Sequence, residues 1–255
     1  MLRSSSFLAF ALTTAGLACV ANAADTVPAP IAAAVSDSGR PDTDKTRDAD
    51  RKPGESVAFA GLKAGDKVVD LLPGGGYFTR IFSKVVGSKG LVYAIAPPKR
   101  PDAPAGAPEP SAAVTAIAAE AAYPNVRVLT ARASEFSVPE SVDMVWTSLN
   151  YHDIRNAPNS DLKAFGANVL KALKPGGTFI VIDHTAEPGS GARDSSTLHR
   201  SDPELVKTEM TSAGFKFEGA SDVLKHPDDP HTSRVHDPSI RGKTDQFLLK
   251  FSKPK

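Results

Sequence analysis

The sequence predicts an α/β fold built on a doubly wound, mostly parallel seven-stranded sheet. Short apolar runs, which are typical of buried strands, alternate with amphipathic stretches of helical length. The first such run, residues 68–72, leads directly into a proline and the glycines at 74–76, a pattern that is typical of a strand turning tightly into a helix. The last two runs, residues 215–220 and 246–251, have no helical pattern between them, which predicts an antiparallel edge pair.

The N-terminal 23 residues are typical of a secretory signal peptide. Arg3 precedes an apolar stretch over residues 7–20, and residues 21–23 form a small-x-small cleavage site. We therefore expect export, cleavage after Ala23 and residence in the periplasm, with no transmembrane segment in the mature chain. Residues 24–41 lack periodicity and are expected to form a flexible tether, which leaves a single domain over residues 42–255.

Composition excludes several classes of function. The formal net charge of the 255-residue chain is +1, and no basic block is present, so nucleic-acid binding is not expected. The one cysteine, Cys19, lies within the predicted signal peptide, so the mature chain has no disulfide and no cysteine-ligated metal. The expected partner is a small molecule, and the sequence does not set an oligomeric state.

A charged segment precedes the first strand. Residues 42–53 are dense in both signs of charge, Pro53 suits a helix start, and Gly61 stands near the end of that short helix. Two interpretations remain open for this segment. It is either a solvated approach to the helix or a cap over a ligand site.

The elements after the first strand follow in alternation. The helix behind the glycines has apolar residues at helical spacing and ends near Gly87. A proline-rich loop follows the second strand, and a capping-box pattern at Ser201 begins the last helix. The expected strands cover residues 90–96, 126–130, 142–147 and 178–182, and the expected helices cover residues 53–61, 78–85, 111–123, 160–173 and 201–214.

The glycine turn has a chemical interpretation as well as a structural one. Glycines allow the backbone to pass close to a ligand, and the N-terminus of the following helix presents free N–H groups. The alternative is a plain turn between a strand and a helix.

The strand, the glycine loop and the helix, with Asp70 at the strand end, resemble motif I of the class I methyltransferases. The order of elements and the Leu-Lys-Pro-Gly-Gly turn at 173–177 extend the resemblance over residues 53–252 and imply the Rossmann-like methyltransferase fold. The resemblance implies that S-adenosylmethionine is the cofactor. The residues it implies for cofactor binding are Asp70, Gly74, Gly75, Gly76, Tyr77 and Asn150.

A closer likeness links the chain to a family of exported, largely uncharacterised predicted methyltransferases. It is carried by residues 73–77, 150–153, 198–200 and 241–245. Three positions depart from the general class I pattern. Leu72 replaces the first glycine of the motif, Ala96 stands where an acid takes the ribose hydroxyls, and Arg132 stands where an acid receives the adenine amino group.

Histidines supply the candidate chemistry. All six lie after residue 150, and His152 and His184 follow the fourth and fifth strands, whose carboxyl ends face the ligand edge of a parallel sheet. We predict that His152 is a general base oriented by Asp153, with Tyr151 and His199 completing the catalytic set. A structural role is the alternative for each histidine. A His/Asp metal site is the further alternative, with its candidate ligands among His152, Asp153, Asp183, His184 and His199. No short His-x-x-x-His spacing occurs, so no metal site is predicted.

Residues 226–244 form a polar, proline-containing loop that is too long for an ordinary hairpin. We expect Arg241 and Lys243 in this loop, together with Arg200, to bind an anionic group of the substrate. A solvated excursion of the chain is the alternative.

Two functions remain open on the sequence. The first is an exported methyltransferase that transfers a methyl group from S-adenosylmethionine to a small acceptor. The second keeps the fold without methyl transfer, either as an envelope ligand-binding protein or as a His/Asp acid–base enzyme, a lyase or hydrolase. Ala96 and Arg132 favour the second function, because they replace the acids that hold S-adenosylmethionine in the general pattern. The predicted export also favours it, because S-adenosylmethionine is made inside the cell.

Overall fold

The computed structural model describes residues 27–255, so the predicted signal peptide lies outside the described residues. The strands are β1 (Lys67–Leu71), β2 (Leu91–Ala96), β3 (Val126–Thr130), β4 (Val142–Ser148), β5 (Leu173–His184), β6 (Lys216–Ser221) and β7 (Gln246–Ser252). The helices are α1 (Ala29–Val35), α2 (Asp42–Lys45), α3 (Asp48–Arg51), α4 (Pro53–Ala60), α5 (Tyr77–Val86), α6 (Ala112–Ala119), α7 (Tyr151–Asn156), α8 (Leu162–Ala172), α9 (Ser195–Leu198) and α10 (Pro203–Ser212).

The strands form one sheet in the order β3-β2-β1-β4-β5-β7-β6. The pairs among β1 to β5 are parallel, whereas β7 is antiparallel to both β5 and β6. The predicted doubly wound sheet with an antiparallel edge pair is therefore confirmed.

Both faces of the sheet are covered, which explains why the central strands are nearly continuous apolar runs. Successive residues of a strand point to opposite faces, so Val68 of β1 joins one core cluster and Val69 joins the other. Buried residues of α1, α4, α5 and α6 pack in the first cluster. Residues of α7, α8 and α10 pack in the second. Among residues 27–255, no helix combines the length and the apolar character that a bilayer crossing requires.

The segment predicted to be a flexible tether differs from that prediction where it is described. Within residues 27–41 lies α1, which packs against α4 and α5. Its Ile31 and Ala34 are 2% and 3% exposed and belong to the core. Only these two residues of the short, alanine-rich helix face the core, and so short a pattern shows no clear hydrophobic periodicity in the sequence. The folded domain therefore includes α1 and begins before residue 42.

Two local predictions also differ from the structure. The cap of α10 is Asp202, whose carboxylate accepts a hydrogen bond from the Glu204 amide, whereas the Ser201 hydroxyl donates to Asp183. The predicted turn at 174–177 lies within β5, which begins at Leu173, and there Gly176 has a left-handed φ of 75° and these four residues have no partners on β4. A shift of the β4–β5 register between Val142 and Met144 accommodates the extra residues.

Candidate functional site

The strand order reverses between β1 and β4, since the chain runs outward from β1 through β2 to β3 and then returns to place β4 beside β1. In doubly wound sheets, ligands bind beyond the carboxyl ends of the strands at this point. A cavity of about 170 Å³ lies here. It is lined by Asp70, the glycine loop at 72–75, Tyr77 and Phe78 at the start of α5, residues 148–150 after β4, and the arginines at 47 and 51.

Asp70 is the acid at the end of β1 and is buried. Its carboxylate accepts a hydrogen bond of 2.6 Å from the Thr79 hydroxyl of α5. Burial raises the pKa of Asp70 to about 6, and the Thr79 hydrogen bond and the charge of Arg51 offset only part of that effect. A buried carboxyl group with a raised pKa at the wall of a cleft is a candidate for binding a cationic group of a ligand.

The three glycines of the loop have different surroundings. A Cβ added at Gly74 or Gly75 would meet nothing within 4 Å, so both positions border open space. Gly74 has a φ of 55°, which glycine adopts without strain, whereas Gly75 has no such requirement. A Cβ at Gly76 would lie 2.2 Å from Ile117 Cδ1 of α6. Gly76, predicted to bind cofactor, is therefore required by helix packing, and it is not among the residues that line the cavity.

The charged segment closes over the cavity, which favours the cap interpretation over the solvated one. The Arg51 guanidinium lies 4.3 Å from the ring centroid of Tyr77 and 4.8 Å from that of Phe78, and it donates a hydrogen bond of 2.9 Å to Ser148 Oγ. Burial lowers the pKa of Arg51 to about 10. Arg47 also lines the cavity. Only the charge density of the segment pointed to these arginines in the sequence.

Tyr77 and Asn150, both predicted to bind cofactor, line the cavity but use their polar groups to build it. The Tyr77 hydroxyl donates 2.6 Å to Asp48, which also accepts two hydrogen bonds from Arg40 and so fixes α3 over the loop. The Asn150 amide donates to the Leu72 carbonyl at 3.0 Å and so joins the end of β4 to the glycine loop.

The positions expected to bind ribose and adenine offer no carboxylate of their own. Ala96 ends β2 and is buried. The Arg132 side chain is exposed, and its Nη1 lies 3.8 Å from Oε1 of Glu135. Neither residue lines the cavity. The charged residues of the cavity lining are therefore Asp70 and the arginines at 47 and 51.

A histidine cluster, made up of His152, His184, His199 and His236, begins two residues after the cavity lining with His152 on α7. His152 Nδ1 is 2.8 Å from Asp183 Oδ1 at the end of β5, and the backbone N–H of His152 donates to the same carboxylate. The Ser201 hydroxyl donates to it at 2.8 Å. The residue that orients His152 is therefore Asp183 rather than the predicted Asp153, whose oxygen lies 3.6 Å from Nε2. Asp183 is distant in sequence, so only the pairing of β4 with β5 brings it to His152.

The pKa values of His152, which is buried, and of His184, which is half-buried, shift in opposite directions. Burial alone would lower the pKa of His152, but the charge and hydrogen bond of Asp183 outweigh it and hold the pKa above the ordinary value. Burial lowers the pKa of His184 to about 4, and its Nδ1 lies 2.7 Å from Thr244 Oγ1. His152 is thus the basic member of the cluster, and His184 is a neutral structural residue.

Of the other two predicted catalytic residues, His199 lies beside His152 and Tyr151 does not. The Tyr151 hydroxyl donates 2.7 Å to Glu209 of α10, so it is turned toward that helix rather than toward the cluster. His199 does belong to the cluster, since its ring centroid lies 5.3 Å from that of His152. His236, which the sequence did not single out, lies 5.2 Å from His199 by the same measure.

The residues predicted to bind an anionic substrate group are not assembled into a site. Arg200 is fully buried and makes two hydrogen bonds, of 2.8 and 2.9 Å, to the Asp229 carboxylate. Its role is structural, because its charge is already neutralised inside the protein. Arg241 and Lys243 are exposed and do not line the cavity.

Solved structures with the same architecture identify the fold. A SAM-dependent methyltransferase from Aquifex aeolicus superposes with a TM-score of 0.59 at 21% identity, covering 84% of this chain and 98% of that one. This is the class I methyltransferase fold. The glycopeptide N-methyltransferase MtfA, solved with S-adenosylmethionine, gives a TM-score of 0.53 at 17% identity, covering 79% of this chain and 86% of that one.

A neighbour of different activity shares the same fold. The [4+2]-cyclase SpnF gives a TM-score of 0.55 at 17% identity, covering 81% of each chain. No family model and no curated protein matches the sequence.

Proposed function

We propose that this protein is an S-adenosylmethionine-dependent methyltransferase that acts on a small-molecule acceptor. The observation that supports it best is the cavity at the β1–β4 reversal, where a glycine loop faces a buried carboxylate and two guanidinium groups. Such a donor set fits an amino-acid group, because the arginines suit a carboxylate and Asp70 suits an ammonium. The resemblance of motif I and the solved methyltransferases with this fold support the same ligand.

The residues that would hold the cofactor are Arg47, Arg51, Asp70 and the backbone of Gly74 and Gly75. When bound, S-adenosylmethionine supplies a methyl group on a positively charged sulfur. The protein positions the acceptor against it, because a displacement at carbon depends chiefly on the alignment of the two reactants.

His152 is the proposed base on the acceptor side. Its Nδ1–H donates to Asp183, which leaves the Nε2 lone pair free to take a proton from an acceptor hydroxyl or amine. The negative charge of Asp183 stabilises the imidazolium that results.

Calorimetric titration of the purified protein with S-adenosylmethionine and S-adenosylhomocysteine tests this function. We expect saturable one-to-one binding of both, weakened by about tenfold or more in Gly75→Val, because Gly75 lines the cavity and the larger side chain would occupy space beside its backbone. Gly39→Val, at an exposed glycine without a left-handed backbone, is the matched control. Absence of binding to the folded wild-type protein would contradict the proposal.

An acid–base enzyme on the same fold is the second candidate. The buried His152–Asp183 pair favours it, because this pair provides a base without any cofactor. The absence of a carboxylate at Ala96 and the cyclase with the same fold also support it. Under this function the calorimetric titration gives no heat with either nucleoside.

We also propose that the protein is exported and is cleaved after Ala23, which the signal-like residues 1–23 support. Mass spectrometry of the protein from an envelope fraction is expected to find an N-terminus at Ala24. A protein that retains Met1 and fractionates with the cytosol would contradict export.

A further inference from the structure

Three side chains with metal-binding atoms converge beside α7. His152 Nε2 lies 3.6 Å from Asp153 Oδ1, and His199 Nδ1 lies 3.9 Å from the same oxygen. One ligand atom from each residue falls within 4.8 Å of the others. We propose that His152, Asp153 and His199 bind a divalent first-row transition-metal ion. This site goes beyond the proposed function, and neither proposal requires the other.

His152 is prepared to be a ligand by the carboxylate behind it. Asp183 accepts the Nδ1–H of His152 and also its backbone N–H, which fixes both the tautomer and the ring orientation. A carboxylate that holds the distal N–H of a histidine is the usual partner of a metal-bound imidazole, because it raises the basicity of the nitrogen that binds the ion. The His152 side chain is 4% exposed, so its Nε2 keeps a defined position beside Asp153 and His199.

His199 follows α9 and ends that helix in a left-handed conformation, with a φ of 57°. Histidine is one of the few residue types other than glycine that adopt this conformation readily. The chain is fixed on both sides, since the Leu198 carbonyl accepts from Val235 and the adjacent Arg200 is locked to Asp229. These contacts on either side of His199 hold its ring beside that of His152, with the two ring centroids 5.3 Å apart.

The donor set selects the class of ion. Two imidazole nitrogens and one carboxylate suit iron(II), cobalt(II), manganese(II) or zinc(II), whereas calcium and magnesium prefer all-oxygen sites. Ligands of one ion at about 2.1 Å lie about 3.0–3.4 Å apart. The Asp153 oxygen, at 3.6 and 3.9 Å from the two nitrogens, therefore needs to approach them by about 0.2–0.9 Å, and the two imidazoles need to converge from within 4.8 Å. The Asp153 side chain is 57% exposed and is free to make that movement.

The charge and coordination of the site fit a divalent ion that is open on one side. The carboxylates of Asp153 and Asp183 offset two positive charges. Three protein ligands leave coordination positions for water or for an oxygen of the acceptor. The ion would lower the pKa of the group bound at such a position. An ion at this site takes the Nε2 lone pair that the proposed function gives to a proton, so ion and proton compete there.

Arg234 provides a means of testing the assignment. Its Nη2 lies 3.4 Å from Nε2 of His199, where its positive charge opposes a cation on the same ring. With an ion on Nδ1, Nε2 keeps its proton and cannot accept from Arg234. Replacing the arginine with a neutral residue is therefore expected to strengthen metal binding, which loss of a purely structural contact would not do.

Cobalt(II) titration of the untagged protein, followed by visible absorption and by calorimetry, tests the site without cofactor or acceptor. We expect one ion per chain, with affinity weakened by about tenfold or more in Asp153→Asn and in His199→Asn. Arg234→Gln should bind more tightly than wild type. His226→Gln, a histidine outside the cluster, should leave the affinity unchanged, and circular dichroism confirms that each variant is folded.

Two results would overturn the metal site. One is no saturable cobalt(II) binding by the folded wild-type protein, and the other is binding that Asp153→Asn and His199→Asn leave unchanged. Because the readout is the metal alone, a protein that binds cobalt but not S-adenosylmethionine would refute the proposed function and keep this site.

Discussion

At the scale of single residues, Asp70 shows how a functional group lowers stability. An aspartate in water has a pKa of about 3.9, whereas burial raises the pKa of Asp70 to about 6. Between these values the folded state binds a proton that the unfolded state releases. The free energy of unfolding therefore falls as the pH rises through this window, and the charged side chain opposes folding at neutral pH.

The variant Asp70→Asn tests this cost. Asparagine keeps an oxygen to accept from Thr79 and cannot ionise, so the variant should gain stability over wild type by about 2–3 kcal/mol between pH 4 and pH 7. Urea denaturation at several pH values measures the difference. A stability difference that does not change with pH would mean that Asp70 is not a buried, raised-pKa carboxyl.

At the scale of elements, the N-terminal helices cover one side of the cavity. α1 anchors the segment to α4 and α5, while α3 holds Arg51 over the aromatic rings of Tyr77 and Phe78. The bond from Tyr77 to Asp48 connects the cap to the glycine-loop helix.

Ile31→Ala tests whether α1 is part of the folded domain. The side chain is 2% exposed, so its truncation should lower the free energy of unfolding by about 2–4 kcal/mol. The control is Ala33→Ser at an exposed position of the same helix, which should change it by less than about 0.5 kcal/mol. A flexible tether would make the two substitutions equally neutral in denaturation experiments.

At the scale of the whole molecule, a buried ion pair joins distant parts of the chain. Arg200, which precedes α10, pairs with Asp229 in the long loop before β7. Asp229 also accepts from the Asp245 backbone N–H, and Asp245 accepts from that of His226. The loop predicted to bind substrate is thereby ordered against the carboxyl end of β5 beside the histidine cluster.

Asp229→Ala should be strongly destabilising, because it leaves the Arg200 guanidinium buried and unpaired. The expected loss is about 3–5 kcal/mol in the free energy of unfolding, whereas removing both charges in Arg200→Met with Asp229→Leu should recover part of it. Thermal and urea denaturation of the three proteins measure this. A loss below about 1 kcal/mol in the single variant would show that water reaches the pair.

The sheet was predictable because strand and helix periodicities repeat along the chain, and the glycine loop because three adjacent glycines are a local signal. The partner of His152 was not, since Asp183 reaches it only through the pairing of two strands. Asp153, adjacent in sequence, was the wrong choice for the same reason. Arg200 carries the same charge as an exposed arginine, and only burial against Asp229 distinguishes it. Arg51 could be placed over the cavity only once α3 was folded back over the glycine loop.

Hydrogen–deuterium exchange with and without S-adenosylhomocysteine tests the central claim that the β1–β4 cavity is the cofactor site. Binding should slow exchange in residues 47–52, 72–78 and 148–150, which line or close the cavity, and leave the far-edge strands β6 and β7 unchanged. Unaltered exchange in those three segments at saturating ligand, or protection only elsewhere, would contradict the account.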